Sequence, residues 1–249
     1  IWMGEILFRT RLAADMFRGL APWMNGLPGG LLHVNVASCG LFAAVSGSSA
    51  ATTATIGRIV IPQLKSRAYD DRMSIGSLAG SATLGLLIPP SIILIVYGVA
   101  ADVSISRLFI AGILPGLLLI ALFMGYIAVW ALLNRERIPA PEPRIPYLQR
   151  IRATAGLFPI LGLMVVVIGS IYGGFATATE AAAVGVIGAL LLSAATGSLN
   201  RDSFVASVAG AVRTTAMVTL ILAAAAFLSV SMGFTGIPRN LASWVGSLG

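Results

Sequence analysis

Uncharged oxygen atoms gather at two places in this sequence, and at both a helix cannot run straight. The first is Ser46-Gly47-Ser48-Ser49, with Thr52 and Thr53 just beyond; the second runs from Thr83 through Gly85-Leu86-Leu87-Ile88-Pro89-Pro90. Serine and glycine leave helices readily. Proline removes a backbone donor and clashes with the turn before it, so a helix must open at Pro89-Pro90. The hydroxyls of Ser46, Ser48, Ser49, Thr52, Thr53 and Thr83, with the carbonyls freed near Gly85, Ile88 and Pro90, make a ligand set without permanent charge. Hard cations favour oxygen, and a monovalent ion held by neutral oxygens leaves more easily than one held by a carboxylate. The competing use of the same small residues is close helix packing, the better account of Thr52, Thr53 and Thr55.

Other chemically capable residues offer less. His33, the sole histidine, lies 15 positions from Ser48, about 22 Å along a continuous helix. A Ser48–His33 hydrolytic pair needs hydrogen-bond range, and a metal site needs further ligands at coordination distance. Glu180 stands just ahead of an apolar run, where a first-turn carboxylate complements the helix dipole; capping is the expected role. Arg213 falls inside an apolar segment, placed to snorkel or to pair with a headgroup. A lone Cys39 forms no internal bridge.

The elements that must hold these groups follow from composition and length. Of the 249 residues 57% are hydrophobic and only 10% charged, with a mean hydropathy of +0.94. Soluble domains run nearer 25% charged, which excludes a cytosolic enzyme, a disordered tail and a disulfide scaffold. The expected class is an all-α polytopic membrane protein. Crossing a bilayer takes roughly 20 helical residues; Leu108–Leu133, Ala153–Tyr172, Ala181–Gly197 and Phe204–Met232 are expected spans. Leu31–Val45 and Ala50–Pro62 are each too short to cross, and they flank the serine-rich joint. A re-entrant hairpin is expected there, with a single broken crossing as its rival. Ser74–Ala100 carries the double proline near its middle, which puts the break near the bilayer midplane. Irregular backbone survives at that depth only inside protein or along a cavity. The connector from Asn134 to Arg152, rich in proline and arginine, reads as an extended cytoplasmic loop.

The +7 charge has a topological reading rather than a nucleic-acid one. With a re-entrant hairpin, one side receives Arg9, Arg11, Arg18, Arg58, Lys65, Arg67, Arg72, Arg135, Arg137, Arg144, Arg150, Arg152 and Arg201. The other side receives Arg107 and Arg239. That asymmetry is the positive-inside pattern, with the rich side cytoplasmic; no long basic face for nucleic acid is present. The segment Arg18-Gly-Leu20-Ala21-Pro-Trp23, reaching Leu27, recurs as Arg239-Asn-Leu241-Ala242-Ser-Trp244, reaching Leu248. Five crossings separate the copies, so they fall on opposite faces. Opposed repeats mark secondary transporters, whose unwound carbonyls hold Na⁺ while half-helix ends face anionic substrate groups. A chain starting at Ile1 within an apolar stretch, and stopping just after the second copy, is expected to be a fragment with about half of a functional core.

These residues resemble the large membrane subunit of TRAP (tripartite ATP-independent periplasmic) transporters, the DctM-like family. The resemblance rests on Gly29-Gly30-Leu31, Ser46-Gly47-Ser48-Ser49 through Ile56-Gly57, Thr83 through Ser91, and Gly173-Gly174-Phe175 with Thr179-Glu180-Ala181-Ala182-Ala183. It departs at Ala178, where the family often has proline. It implies an inverted-repeat, elevator-type, Na⁺-driven importer in a bacterial inner membrane, working with a small membrane subunit and a periplasmic solute-binding protein that delivers an organic acid of the dicarboxylate or sugar-acid class. It implies one Na⁺ site made by Ser46, Ser48, Gly85, Ile88 and Pro90, with Ser49, Thr52, Thr83 and Ser91 as candidates to face substrate. No organic cofactor is implied, and membrane lipid is the surrounding partner. By the same reading, residues 1–28 end a helix and form the first repeat's interfacial arm. Residues 29–133 hold the hairpin, broken helix and next span, 134–152 the basic loop, and 153–249 the start of the second repeat. A single-polypeptide Na⁺/anion symporter and an intramembrane serine hydrolase are the alternatives.

Overall fold

A computed structural model describes residues 1–9, 12–139 and 146–247. Arg11, Arg144, Leu248 and Gly249, which figure in the charge and repeat arguments, lie outside the described residues. The described residues are almost entirely helical, and at α4, α5, α10 and α11 a polar side chain (Ser48, Asp70, Thr177 and Asn200) takes an orphan N–H of the first turn. In order, α1 is Trp2–Phe8, α2 Leu12–Met24, α3 Leu31–Ser46, α4 Ser49–Ser66 and α5 Asp71–Ala82. A 3-10 turn, Thr83–Leu86, follows, then α6 at Ile92–Ala100, α7 at Ile105–Leu133 and α8 at Tyr147–Thr154. The last four are α9, Phe158–Tyr172; α10, Ala178–Ala195; α11, Arg201–Thr235; and α12, Ile237–Gly246.

The two short arms form a hairpin. Gly47 ends α3 in the left-handed region (φ 60°) and Ser48 caps α4, its Oγ accepting from Ala51 N–H at 3.3 Å. At the other end the Leu31 N–H donates to the hydroxyl of Tyr69, just past α4, at 3.2 Å. The start of α3 thus meets the end of α4. A single straight crossing would hold these residues tens of ångströms apart at 1.5 Å per residue. That excludes the broken-crossing rival. The second arm is longer than expected: it runs through Pro62 to Ser66, because fully buried Leu64 anchors the extra turn in the core while Pro62 sits at the surface.

The hairpin is the centre of the molecule. Leu31, Leu32, Val34, Val36, Cys39, Phe42 and Ala43 of α3 are all buried, packed between α1, α2, α4, α5 and α7. Among the described residues four helices are long and apolar enough to cross a membrane: Ile105–Leu133, Tyr147–Tyr172, Ala178–Ala195 and Arg201–Thr235. Their outer faces are bare hydrocarbon, as Leu114, Leu117, Val165 and Leu220 illustrate. Such a surface requires lipid or protein as its solvent.

Boundaries shift from expectation for local reasons. Asp70 caps α5 by accepting from Met73 N–H at 2.8 Å, so the helix starts before Ser74. Asn200 and Ser203 form a capping box that moves the start of α11 ahead of Phe204. The 134–152 connector is not wholly extended. Arg135–Arg137 forms a 3-10 turn, and α8 begins at Tyr147 directly after Pro146, whose φ of −53° already suits a helix. Glu180 caps as expected, with Thr177 N–H donating to its Oε2 at 2.8 Å and its own N–H donating to Thr177 Oγ1. Both copies of the repeated segment are short helices, α2 and α12, each amphipathic.

Candidate ion site at the hairpin tip and helix break

At the tip the side chains fold back on the turn. Thr52 Oγ1 donates to the Ser48 carbonyl at 2.7 Å and lies 3.1 Å from Ser46 Oγ. Ser46 Oγ in turn accepts the Ser48 N–H at 3.4 Å. Ser46 and Thr52 are buried; Ser48 and Ser49 are partly accessible. Thr53 and Thr55 donate to the carbonyls of Ser49 and Ala51, four residues back, the packing role expected of them.

The break follows from which donors the prolines remove. In a continuous helix Pro89 would serve the carbonyl of Gly85 and Pro90 that of Leu86. The Leu86 carbonyl is rescued by the Ser91 hydroxyl at 2.7 Å. The Gly85 carbonyl is not. Leu84 takes the N–H groups of both Leu87 and Ile88, at 3.0 and 2.8 Å. Ile92 N–H, which would serve Ile88, turns instead to the Gly47 carbonyl at 3.1 Å. Among the described residues the carbonyls of Gly85, Ile88 and Pro90 accept no hydrogen bond, and neither do those of Leu87 and Pro89. A buried carbonyl without a partner is costly, and a cation is one partner that would serve several at once.

The two discontinuities meet. Besides the Ile92–Gly47 bond, a Cβ at Gly47 would overlap the Pro90 carbonyl oxygen, and one at Gly85 would lie 2.8 Å from both Ser48 C and Ser49 N. The structure therefore brings Ser48 against Gly85 and the tip against Pro90, with Ser46 tied to Ser48. Ile88 faces α7, its Cγ1 2.9 Å from where a Gly116 Cβ would stand. Of the residues considered for substrate, Ser49 is partly accessible and Thr83 exposed, its hydroxyl donating to Gly80. Thr52 and Ser91 are fully buried with hydroxyls engaged in backbone bonds, so neither presents its oxygen to a substrate here.

Other residues of the site were not singled out by chemistry. Gly4 of α1 packs on Ser46, where a Cβ would come within 2.9 Å of its Cα. Gly112 of α7 receives the Leu87 carbonyl just as closely, at 2.6 Å. The Gly112-x-x-x-Gly116 spacing, a close-packing signature in membrane helices, was the available signal for the second. His33 is buried at the hairpin's base, with Nε2 2.7 Å from the Pro28 carbonyl. The length of α3 separates it from Ser48, which leaves the hydrolytic pair without geometry. Among the described residues no group of three or more His, Cys, Asp or Glu side chains converges.

Known proteins share this sequence along its whole length. Residues 1–249 match the family described as Tripartite ATP-independent periplasmic transporter, DctM component. The chain is 33% identical over 250 residues to the ectoine/5-hydroxyectoine TRAP transporter large permease protein UehC of Ruegeria pomeroyi, covering 99% of this chain and 57% of that protein. It is 35% identical over 248 residues to the ectoine TRAP transporter large permease protein TeaC of Halomonas elongata, covering 99% and 57%. To the C4-dicarboxylate TRAP transporter large permease protein DctM of Pseudomonas aeruginosa it is 36% identical over 225 residues, covering 89% and 51%. The chain thus spans little more than half the length of these relatives. It belongs to the DctM component family of tripartite ATP-independent periplasmic transporters, and is a multi-pass protein of the inner membrane.

Proposed function

We propose that the protein is the large permease subunit of a secondary transporter that imports a small organic solute, an organic acid of the dicarboxylate or sugar-acid class, coupled to Na⁺. A periplasmic solute-binding protein delivers the solute and a small membrane subunit completes the complex. The relatives' names cover ectoine and C4-dicarboxylates, so substrate choice varies within the family while the tip and break motifs are those of the chain itself.

One observation carries the ion assignment: backbone carbonyls of the break, those of Gly85, Ile88 and Pro90 among them, are left unpartnered where it presses against a hydroxyl-rich tip. Those carbonyls, with the Ser46 and Ser48 hydroxyls, are the groups that would hold Na⁺. A cation there replaces the donors that the prolines and the diverted Ile92 N–H withhold. Because no carboxylate takes part, the ion would be held by neutral oxygens alone and would leave more easily. Movement of the hairpin and broken helix together, elevator-fashion, is the transport step this arrangement favours.

The test is Na⁺-dependent uptake by the full-length transporter in vesicles. Ser48→Ala and Gly85→Val are each expected to weaken the Na⁺ dependence, Gly85→Val more severely, because its side chain displaces the tip backbone. His33→Ala should leave that dependence unchanged. Unaltered Na⁺ dependence in both site variants would overturn the ion assignment. Uptake that proceeds with no binding protein added would favour the single-polypeptide symporter.

A further inference from the structure

A cavity of about 510 Å³ opens between α5 and the last turns of α7, its lining sharing no residue with the tip or the break. Its outer rim is charged; below it the lining is apolar but for Ser77, whose hydroxyl donates to the Ser74 carbonyl and accepts from Asn35. Arg72 from the first turn of α5, Arg137 from the 3-10 turn after α7, and Asp70 form the rim; Trp130 and Tyr126 of α7 stand beside it, with Phe123 deeper. Since α7 is long and apolar enough to cross a bilayer, its end marks the depth where hydrocarbon gives way to headgroups. Tryptophan and tyrosine concentrate there for that reason.

Charge on the rim is unevenly spent. Asp70 Oδ1 accepts the Met73 N–H at 2.8 Å, and Oδ2 stands 3.9 Å from Arg137 Nη1. The single carboxylate thus caps a helix and orients one guanidinium. Arg72 has no ion pair among the described residues, so the rim keeps a net positive charge. Guanidinium groups match phosphate oxygens in a two-pronged geometry. Below the rim the wall is cut away: a Cβ at Gly76 would meet nothing within 4 Å, and one at Gly80 would touch only the Phe123 ring, at 3.5 Å. The two glycines leave a slot along α5, floored by Met73, Val36 and Ile127.

We propose that this cavity binds one anionic phospholipid, its phosphate on Arg72 and Arg137 and an acyl chain in the Gly76–Gly80 slot. Basic pockets between membrane helices on the cytoplasmic side hold anionic headgroups in this way, and hydrocarbon in the slot buries the apolar floor. The site gives the α5 half of the broken helix a lipid contact against α7.

Native mass spectrometry of the full-length protein in mild detergent tests the proposal, with phosphatidylglycerol or phosphatidylcholine added in turn. Phosphatidylglycerol should be retained several-fold over phosphatidylcholine, and excess inorganic phosphate should not displace it. The double variant Arg72→Gln/Arg137→Gln should lower its retention about tenfold. Gly76→Leu, whose Cβ enters open space, should lower it as well while leaving the unfolding temperature without added lipid unchanged. Arg150→Gln/Arg152→Gln, which removes basic charge elsewhere, should have no effect. Equal retention of the two lipids, full retention in both cavity variants, or a cavity filled by another protein segment would each overturn the proposal.

Discussion

At the scale of single residues, the site is held by the lack of a side chain. Gly47 combines a φ of 60° with a Pro90 carbonyl lying where its Cβ would stand. Alanine there carries about 1–2 kcal/mol for the left-handed backbone alone, and the overlap adds to it. Gly47→Ala is therefore expected to lower the thermal stability of the full-length protein by at least that amount and to abolish any stabilisation by Na⁺. A Na⁺-induced shift in unfolding temperature, measured with and without the substitution, checks both; a bound ion stabilises only the form it binds. Retention of the full Na⁺ shift would show that the tip tolerates displacement. The same scale explains which part of the site was legible. Of the candidate ligands, Ser46, Ser48, Gly85 and Pro90 stood out because serine, glycine and proline interrupt helices visibly, and Ile88 through the prolines that follow it. The duties of Ser91 and Thr52 did not, because a hydroxyl that mends a backbone and one that faces a ligand are spelled alike.

At the scale of elements, caps and turns decided what length and periodicity could not. The hairpin arms, the break and the four spans were readable from apolar runs and punctuation. Their ends moved by a few residues where Asp70, Asn200 or Pro146 started a helix early. Pro62 reads as a stop in sequence, yet α4 passes through it because burial of Leu64 outweighs one lost backbone bond. That contest is tertiary and leaves no local signature. The capping box at α10 is a local device and its removal should have local consequences. Glu180→Ala removes the acceptor of the Thr177 N–H and loosens the start of the helix. Hydrogen exchange at residues 177, 180 and 181, whose N–H groups are bonded within this cap, should then speed severalfold, with no change at the tip. Faster exchange at Ser46–Ser49 in that variant would show that α10 and the hairpin open together.

For the whole molecule, the expected architecture is one in which the hairpin's base and the basic loops share a side. The Leu31–Tyr69 bond closes that base beside Lys65 and Arg67, while the α6–α7 turn at Asp102 is at the far end of the broken helix. In intact cells, cysteine at Ser66 should react with a membrane-impermeant thiol reagent only after permeabilisation. Cysteine at Asp102 should react from outside directly. Equal labelling of both positions would reverse the positive-inside reading. What the sequence could not convey at this scale is which helix sits in the middle. α3 is no more apolar than α7, yet α3 is buried on nearly all sides while α7 exposes Leu114, Leu117 and Leu118. Hydropathy ranks how readily a helix leaves water and is silent on whether lipid or protein receives it.

The Ile92–Gly47 hydrogen bond has a mechanical corollary. A loop tethered to its neighbour by main-chain atoms is a poor flap, since lifting it alone would strand a donor and an acceptor in a dry interior. On the proposed transport reading, freight held at that seam would travel with both walls, and the sliding surface would belong at the outer boundary of the α3–α6 block.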